Sequence, residues 1–367
     1  MATPLKDIYS LAFYDRLCVA LQLVLPDFRK LAFTRKIFTP AFEQMELKAR
    51  MRHTAVVLHE FMPADFREAA GVIRALISQL RAQGTGEDGL AYMFLPDYIE
   101  VYGLEDYDAA IPALEHTTQF VSCEFAVRPF LLRYFKPMMA QMKAWAKHDN
   151  YKVRRLASEG CRPRLPWAMA IPALKKDPAP ALAVLEILKN DSSDWVRRSV
   201  ANNLNDIAKD HPDIVLAIAA KWSGISRETD AIIKHGSRTL LKQGHSDILA
   251  HYGLDASQVQ LSDFLITHPV IRIGDSLEFS FSITNNKDET QKIRLEYAVF
   301  YLRQNGSLSK KVFKISEKEY AAAATVRIVR RQKFIPITTR AFYPGAQRLS
   351  VIVNGEEKTI ADFTLEE

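Results

Sequence analysis

The chain has 367 residues, of which 48% are hydrophobic and 25% are charged. This composition describes a globular protein long enough for two domains, and it excludes a chain that is mainly disordered. The three cysteines, Cys18, Cys123 and Cys161, are too far apart for a clustered metal motif, so we expect reduced thiols and no bound metal. Because no apolar run reaches the length of a membrane span, we expect a cytoplasmic protein without membrane contact.

The net charge of +6 is modest, and most of the positive excess lies within residues 151–250. A local basic bias favours a polyanionic partner, because neutralising phosphates releases condensed counterions. The alternative is a charged face that only keeps a helical protein soluble. Charge alone does not separate these two interpretations.

Residues 1–250 show helical periodicity interrupted by prolines and short polar turns. Within this region, Thr117–Phe135 and the following residues 138–148 predict an antiparallel helix pair. This pair leads directly into the most informative part of the sequence.

That part is a segment that nearly repeats itself. Asp149–Gly160 reads DNYKVRRLASEG, and the sequence from Asp191 reads DSSDWVRRSVANNLND, so Val-Arg-Arg enters a predicted helix twice. A weaker third copy follows in TDAIIKHGSRTLLKQG. The spacing is typical of HEAT-type helix pairs, which stack so that their apolar stripes are buried and their opposite faces form one extended surface. The predicted stripes are Val153, Leu156, Ala157 and Gly160 in the first helix and Val196, Val200, Leu204 and Ile207 in the second.

The faces opposite these stripes are polar and mainly basic. We expect them to be exposed, with one carboxylate in each repeat. For Glu159 the alternative is an i,i+4 salt bridge with Arg155, and for Asp206 it is an exposed helix position without a catalytic role. The polar faces comprise Lys152, Arg155 and Glu159 in the first helix and Arg198, Asn202 and Asp206 in the second.

The loop between the two Val-Arg-Arg helices reads EGCRPRLPW from Glu159 to Trp167. Two prolines and a glycine stiffen it, which fixes Arg162, Arg164 and Trp167 relative to the helix ends. Arginines beside an indole suit contacts with phosphate and sugar. The alternative is that Trp167 only covers the hydrophobic seam between repeats.

From Leu261 the pattern changes to short alternating runs of β-branched and aromatic residues. About seven strands are predicted, with hairpin turns at Asn305-Gly306 and Asn354-Gly355, and they favour an antiparallel immunoglobulin-like sandwich. The predicted fold is therefore α then β. A HEAT-like helical domain occupies residues 1–257, and a β-sandwich occupies residues 258–367.

The runs RRLASEGCRPRLPWA and DWVRRSVANNLNDIAKDHPD closely resemble the AlkC family of bacterial DNA alkylation repair glycosylases, which are relatives of AlkD. The resemblance extends over most of the chain and indicates the longer subgroup, which carries a C-terminal immunoglobulin-like domain. It implies a monofunctional N-glycosylase that removes cationic alkylated bases, chiefly 3-methyladenine together with 3-methylcytosine, from duplex DNA without flipping the base. It also implies that the enzyme uses no cofactor, has no obligate protein partner and is associated with the bacterial nucleoid.

The matching motifs imply that Glu159, Trp167 and Asp206 form the active-site group, with Arg155 either orienting a carboxylate or holding the phosphate backbone. Glu124 is a further candidate, for which the alternative is an i,i+4 pair with Arg128. Two rival functions remain open, a HEAT-type scaffold for proteins and a DNA-binding module without chemistry. The residues expected to contact DNA are Arg154, Arg162, Arg164, Arg197 and Arg198, together with Arg330 and Arg331 in the β-domain.

Overall fold

The computed structural model describes residues 4–336 and 341–367, and within these ranges the chain forms sixteen α-helices followed by eight β-strands. The helices are α1 (Leu11–Val24), α2 (Lys30–Ile37), α3 (Leu47–His59), α4 (Phe66–Ala82), α5 (Phe94–Gly103), α6 (Tyr107–Thr118), α7 (Val127–Arg133), α8 (Phe135–Trp145), α9 (Tyr151–Gly160), α10 (Pro172–Lys176), α11 (Ala179–Leu188), α12 (Asp194–Ile207), α13 (Pro212–Trp222), α14 (Arg227–Gly236), α15 (Arg238–Gln243) and α16 (Ser246–His251). The strands are β1 (Val259–Ile266), β2 (Val270–Arg272), β3 (Ser276–Asn285), β4 (Gln291–Leu302), β5 (Leu308–Tyr320), β6 (Thr325–Lys333), β7 (Gly345–Val353) and β8 (Glu356–Glu366).

This order of elements confirms the predicted fold class, helical first and β-stranded afterwards. The chain divides into two compact units. One consists of Met1–His211 and Trp222–Gly236, and the other of Pro212–Lys221 and Ser237–Glu367. Helices α15 and α16 therefore group with the strands. The domain boundary after residue 257 stays a prediction.

The repeat helices α9, α12 and α14 pack in series, because α12 contacts both of the others. Both predicted apolar stripes are buried, which confirms the helical phase read from the two Val-Arg-Arg copies. At the end of α9, a Cβ added to Gly160 would lie only 2.8 Å from Cγ2 of Val127, so the absence of a side chain allows α9 to approach α7 closely. The Asn150 side chain caps α9 by accepting a hydrogen bond from the Lys152 backbone N–H.

The predicted helix Thr117–Phe135 is interrupted in the structure. Helix α6 ends at Thr118, and α7 begins only at Val127. Pro129 is the third residue of α7, and a residue without an N–H fits the first turn of a helix, where that N–H would have no partner within the helix. Glu124 consequently lies in the turn before α7.

The strands form a three-stranded sheet of order β1-β3-β6 and a five-stranded sheet of order β2-β8-β7-β4-β5. Alternate residues of these strands build one core around Phe279, Phe281 and Phe363. Both predicted hairpins are confirmed, one joining β4 to β5 and the other joining β7 to β8. Asn354 and Gly355 have φ values of 46° and 81°, which is the left-handed pair that a two-residue type I′ turn requires. The eighth strand, β2, pairs in parallel with β8 and was not predicted.

Candidate active site

The loop that follows α9 is fixed by a buried arginine. Arg128 Nη1 donates hydrogen bonds to the carbonyl oxygens of Gly160 and Arg162, both at 3.0 Å, and Arg128 Nε donates to the carbonyl of Met169 at 2.5 Å. Burial lowers the pKa of this guanidinium to about 10, so Arg128 stays charged at neutral pH. The alternative interpretation of Glu124, an i,i+4 pair with Arg128, is therefore wrong. Arg128 holds both ends of the loop instead.

The same loop presents Trp167 to solvent. Trp167 has a φ of 64°, a left-handed conformation that is rare for a large side chain, and 65% of its surface is exposed. Lys48 Nζ donates a hydrogen bond of 2.6 Å to the Trp167 carbonyl oxygen. Functional loops typically combine a strained backbone, held by hydrogen bonds from other parts of the chain, with a solvent-exposed side chain. Trp167 does not cover the seam between the repeats.

Glu159 and Asp206, from the ends of α9 and α12, are joined by one arginine. Arg162 Nη1 donates to Glu159 Oε1 at 2.6 Å, and Arg162 Nε donates to Asp206 Oδ2 at 2.8 Å. The second oxygens are also occupied, since Glu159 Oε2 accepts from Ser199 Oγ at 2.6 Å and Asp206 Oδ1 accepts from Lys209 Nζ at 2.9 Å. Burial lowers the pKa of Arg162, but the two carboxylates outweigh this effect and leave its pKa above the usual value.

Glu124 belongs to the same group through a second arginine. Arg155 Nη1 donates to Glu124 Oε2 at 2.8 Å, and Arg155 Nη2 lies 3.9 Å from Glu159 Oε1. The expected pair between Arg155 and Glu159 is therefore present but long. Together these contacts form an alternating row of negative and positive side chains, which we call the charged row. Its members, in order, are Glu124, Arg155, Glu159, Arg162 and Asp206.

The prediction that the polar repeat faces are exposed is largely wrong. Lys152, Glu159 and Asp206 are buried, and only Arg198 is strongly exposed. The cause is pairing across repeats: Lys152 Nζ lies within 2.9 Å of both Glu87 and Asp88, for example. Helix periodicity identifies a face opposite the core, but it does not show what covers that face.

The first arginine of each Val-Arg-Arg copy braces its own repeat. Arg154 Nη1 donates to the carbonyls of His148 and Asp149, and Arg197 Nη1 donates to the carbonyls of Asp191 and Ser192. The two arginines thus contact carbonyls five and six residues upstream in both copies. These matching contacts are structural evidence for the repeat. They also occupy N–H donors of Arg154 and Arg197 that would otherwise be available to bind phosphates.

The other arginines expected to contact DNA are more accessible, Arg162 excepted. Arg164 pairs with Asp210, and Arg198 pairs with Asp194 while 72% of its side chain remains exposed. Arg330 and Arg331 are exposed on the edge strand β6, but as neighbours in a strand they point to opposite faces of the sheet. Arg331 pairs with Glu278 on the outer face.

Trp195 is part of the site although the sequence analysis did not select it. It lies in the first turn of α12, is 51% exposed, and its ring lies 5.5 Å from the Arg155 guanidinium. The sequence could have indicated Trp195, because it directly precedes the second Val-Arg-Arg. A tryptophan is unusual at a solvent-facing position in the first turn of a helix. Trp195 therefore lies beside the charged row, whereas Trp167 is exposed on the loop that also carries Arg162.

Within residues 4–336 and 341–367, no group of three or more His, Cys, Asp or Glu side chains is arranged to hold a metal ion. In the same ranges, none of the helices has the length and apolar character needed to cross a membrane.

Comparisons with known proteins agree with this architecture. Residues 30–221, more than half of the chain, match the family described as DNA alkylation repair enzyme, and residues 260–367 match the C-terminal Ig-like domain of the uncharacterised protein YhaZ. YhaZ of Bacillus subtilis is 44% identical over 98% of both chains. The structure of the Pseudomonas fluorescens alkylpurine DNA glycosylase AlkC, bound to DNA containing an abasic site analogue, matches all of both chains with a TM-score of 0.92 and 35% identity.

The chain belongs to the DNA alkylation repair enzyme family. Its helical region followed by an Ig-like domain is the AlkC arrangement, which confirms the resemblance and the subgroup inferred from the sequence.

Proposed function

We propose that this protein is a DNA glycosylase that removes cationic alkylated bases, chiefly 3-methyladenine together with 3-methylcytosine, from duplex DNA. The charged row is the observation that carries the proposal, because it places three carboxylates on neighbouring elements of a DNA alkylation repair fold. The similarity to the AlkC chain bound to abasic-site DNA supports duplex DNA as the partner.

The chemistry requires little beyond electrostatics and one water molecule. A base methylated at a ring nitrogen is already cationic and leaves readily, so the enzyme has to stabilise an oxocarbenium-like sugar and orient the attacking water. Carboxylates perform both tasks. No protonation of the leaving base is needed, because a cationic base leaves as a neutral molecule, and a carboxylate can accept the proton of the attacking water.

The three carboxylates differ in how well they can reach a substrate. The Glu124 side chain is 18% exposed, compared with 6% for Glu159 and 3% for Asp206. Ser122 Oγ and Arg155 Nη1 donate to one oxygen of Glu124, which fixes its orientation. We therefore assign the contact with water or sugar to Glu124. Glu159 and Asp206 supply negative charge and hold Arg162 and Arg155 in place.

The exposed indoles give the site an aromatic surface. An indole face favours positive charge, so Trp167 and Trp195 can stabilise a cationic base or the developing cation of the sugar. Exposed rings that project from the surface suit contact with a lesion that stays stacked in the duplex, since a flipped base has to enter a pocket that encloses it. This supports the part of the proposal in which the base is not flipped.

Incubation with methylated duplex DNA tests the function directly. The proposal predicts release of free 3-methyladenine and an abasic site that alkali cleaves, with no release from unmethylated DNA of the same sequence. A DNA-binding module without chemistry would bind the methylated duplex and release nothing. A protein scaffold would neither bind DNA nor release a base.

A further inference from the structure

A cavity of about 340 Å³ lies beside the candidate active-site loop in the helical repeat region, between α3, α5 and residues 168–169. It borders the proposed site on two sides, because Phe125 follows Glu124 and Ala168 follows Trp167. The wall combines apolar side chains with a compact set of charges. The apolar side includes Met51, Phe125 and Met169, and the charged side includes Arg52, Asp97 and Glu100.

The charged side is held by Arg52. Its Nη2 donates to Glu100 Oε1 at 2.6 Å and lies 2.9 Å from Asp97 Oδ1. The Asp97 side chain is only 3% exposed, and its Oδ2 has no hydrogen-bond partner among the residues that the structure describes. Because Oδ2 is itself buried, the carboxylate more accessible to a ligand in the cavity is that of Glu100, whose side chain is 17% exposed. Burial raises the pKa of Asp97 to about 7, so a protonated carboxyl is also accessible near neutral pH.

These groups match one kind of ligand in size and chemistry. A cavity of a few hundred Å³ with apolar walls and a few fixed polar groups is typical of small-molecule sites. The Phe125 ring and the Met51 and Met169 thioethers suit a flat heterocycle. The Glu100 carboxylate can accept a hydrogen bond from an exocyclic amino group of such a ring. Phosphate would be disfavoured by Asp97 and Glu100.

We propose that this cavity binds a free nucleobase that carries an exocyclic amino group. In this role, which rests on the function proposed above, the cavity receives the alkylated base after the glycosidic bond is cleaved. Lys48 links the cavity to the loop, because its Nζ contacts the Trp167 carbonyl at 2.6 Å and lies 4.9 Å from the centre of the Phe125 ring. Lys48 thus joins the cavity wall to Phe125 and to the Trp167 loop, the two segments that border the candidate active site.

The test measures binding of 3-methyladenine itself to the full chain without DNA, by isothermal titration calorimetry or equilibrium dialysis. We expect saturable binding at one site per chain. Ala49→Phe fills the cavity from an exposed position of α3 and should abolish binding while the chain stays folded. Glu100→Gln should weaken binding about tenfold by removing a charged acceptor. Glu60→Gln changes a carboxylate that pairs with Lys36 outside the cavity and should bind as the unmodified chain does.

Release of 3-methyladenine from methylated DNA, measured on the same preparation, separates the two proposals. If the unmodified chain releases the base but binds no free base, or binds it as well with Ala49→Phe and Glu100→Gln as without them, the cavity proposal is overturned and the glycosylase stands. If binding depends on Ala49 and Glu100 but the chain releases nothing, the nucleobase site is supported, and its role as a product site fails with the proposed function.

Discussion

Arg162 is the side chain on which two of the three candidate carboxylates depend. It is buried between Glu159 and Asp206, and each of its bonds to them is shorter than 2.9 Å. The sequence analysis assigned Arg162 to a phosphate of DNA. Its contacts favour a different proposal, in which Arg162 keeps two buried carboxylates close together without their mutual repulsion.

Replacing Arg162 by Met should therefore lower the free energy of unfolding, and this should be its main effect rather than weaker DNA binding. Removing one member of a buried ionic group leaves uncompensated charge, and a loss of about 3–5 kcal/mol in the free energy of unfolding is expected. Arg164→Met removes a more exposed pair with Asp210 and should cost less than about 1 kcal/mol. Urea denaturation of both variants checks this. Equal stability of the two would contradict the bridging role of Arg162.

Asp97 gives a pH-dependent prediction. Its pKa in the folded chain is raised to about 7, whereas an unfolded Asp titrates near pH 3.9. The folded chain therefore binds the proton more tightly, and the contribution of Asp97 to stability is lost as the pH rises from about 4 to about 7. Asp97→Asn removes this loss. The stability of the variant relative to the unmodified chain should increase between pH 5 and pH 8 in parallel denaturation series, and a constant difference would refute the raised pKa.

At the scale of secondary structure elements, the repeat copies could be predicted because their signal is local. Helical phase follows from the spacing of Val153, Leu156 and Ala157. The hairpins follow from their Asn-Gly pairs, because glycine readily adopts the left-handed φ that Gly306 and Gly355 show. The turn that carries Glu124 was missed, because the apolar pattern from Thr117 to Phe135 continues across it. Only Pro129 marks where the helix starts.

The contacts of the site could not be predicted in the same way. Lys48 and Trp167 are 119 residues apart in sequence, and Arg128 contacts the carbonyls of Gly160 and Met169 from another helix. A sequence does not show which backbone carbonyls accept hydrogen bonds, because every residue has one. Periodicity therefore located Glu159 and Asp206 on the correct helices but could not show that Arg162 and Ser199 cover them.

The two Asn-Gly hairpins offer a matched pair of variants. Gly306 and Gly355 both have left-handed φ values, of 77° and 81°. An added Cβ would meet nothing within 4 Å at Gly306, but at Gly355 it would lie 2.6 Å from Cδ1 of Leu249. Gly306→Ala should cost about 1 kcal/mol for backbone strain alone. Gly355→Ala should cost more in thermal or urea unfolding, and an equal cost would show that Gly355 and Leu249 do not pack closely.

At the scale of the whole molecule, the positive charge is less available than the sequence indicated. Arg154 and Arg197 brace their repeats, Arg162 lies between carboxylates, and Lys152 pairs with two acids. Among the arginines predicted to contact DNA, Arg198 in the helical unit and Arg330 and Arg331 on β6 remain exposed. DNA affinity should therefore depend on contacts from both units.

Salt dependence measures these contacts. Affinity for duplex DNA should fall steeply between low and moderate salt, because each neutralised phosphate releases counterions. Arg198→Ala and Arg331→Ala should each weaken binding to all sequences and reduce the slope of log affinity against log salt by about one. Arg348→Ala, on β7 of the five-stranded sheet, is the control and should change neither value. An affinity that does not respond to salt would contradict phosphate binding altogether.

We propose that the carboxylates of the charged row stabilise the transition state of base release. Single-turnover release of 3-methyladenine from methylated duplex DNA by Glu124→Gln tests this, because the partly exposed Glu124 side chain can change with little loss of stability. We expect a fall of about a hundredfold or more in the release rate, with DNA affinity equal or slightly higher because a negative charge has left the surface. Glu105→Gln, which removes an exposed partner of Arg133, should leave the rate unchanged. Near-normal release by Glu124→Gln, and by folded Glu159→Gln and Asp206→Asn, would contradict this proposal and place the chemistry elsewhere in the molecule.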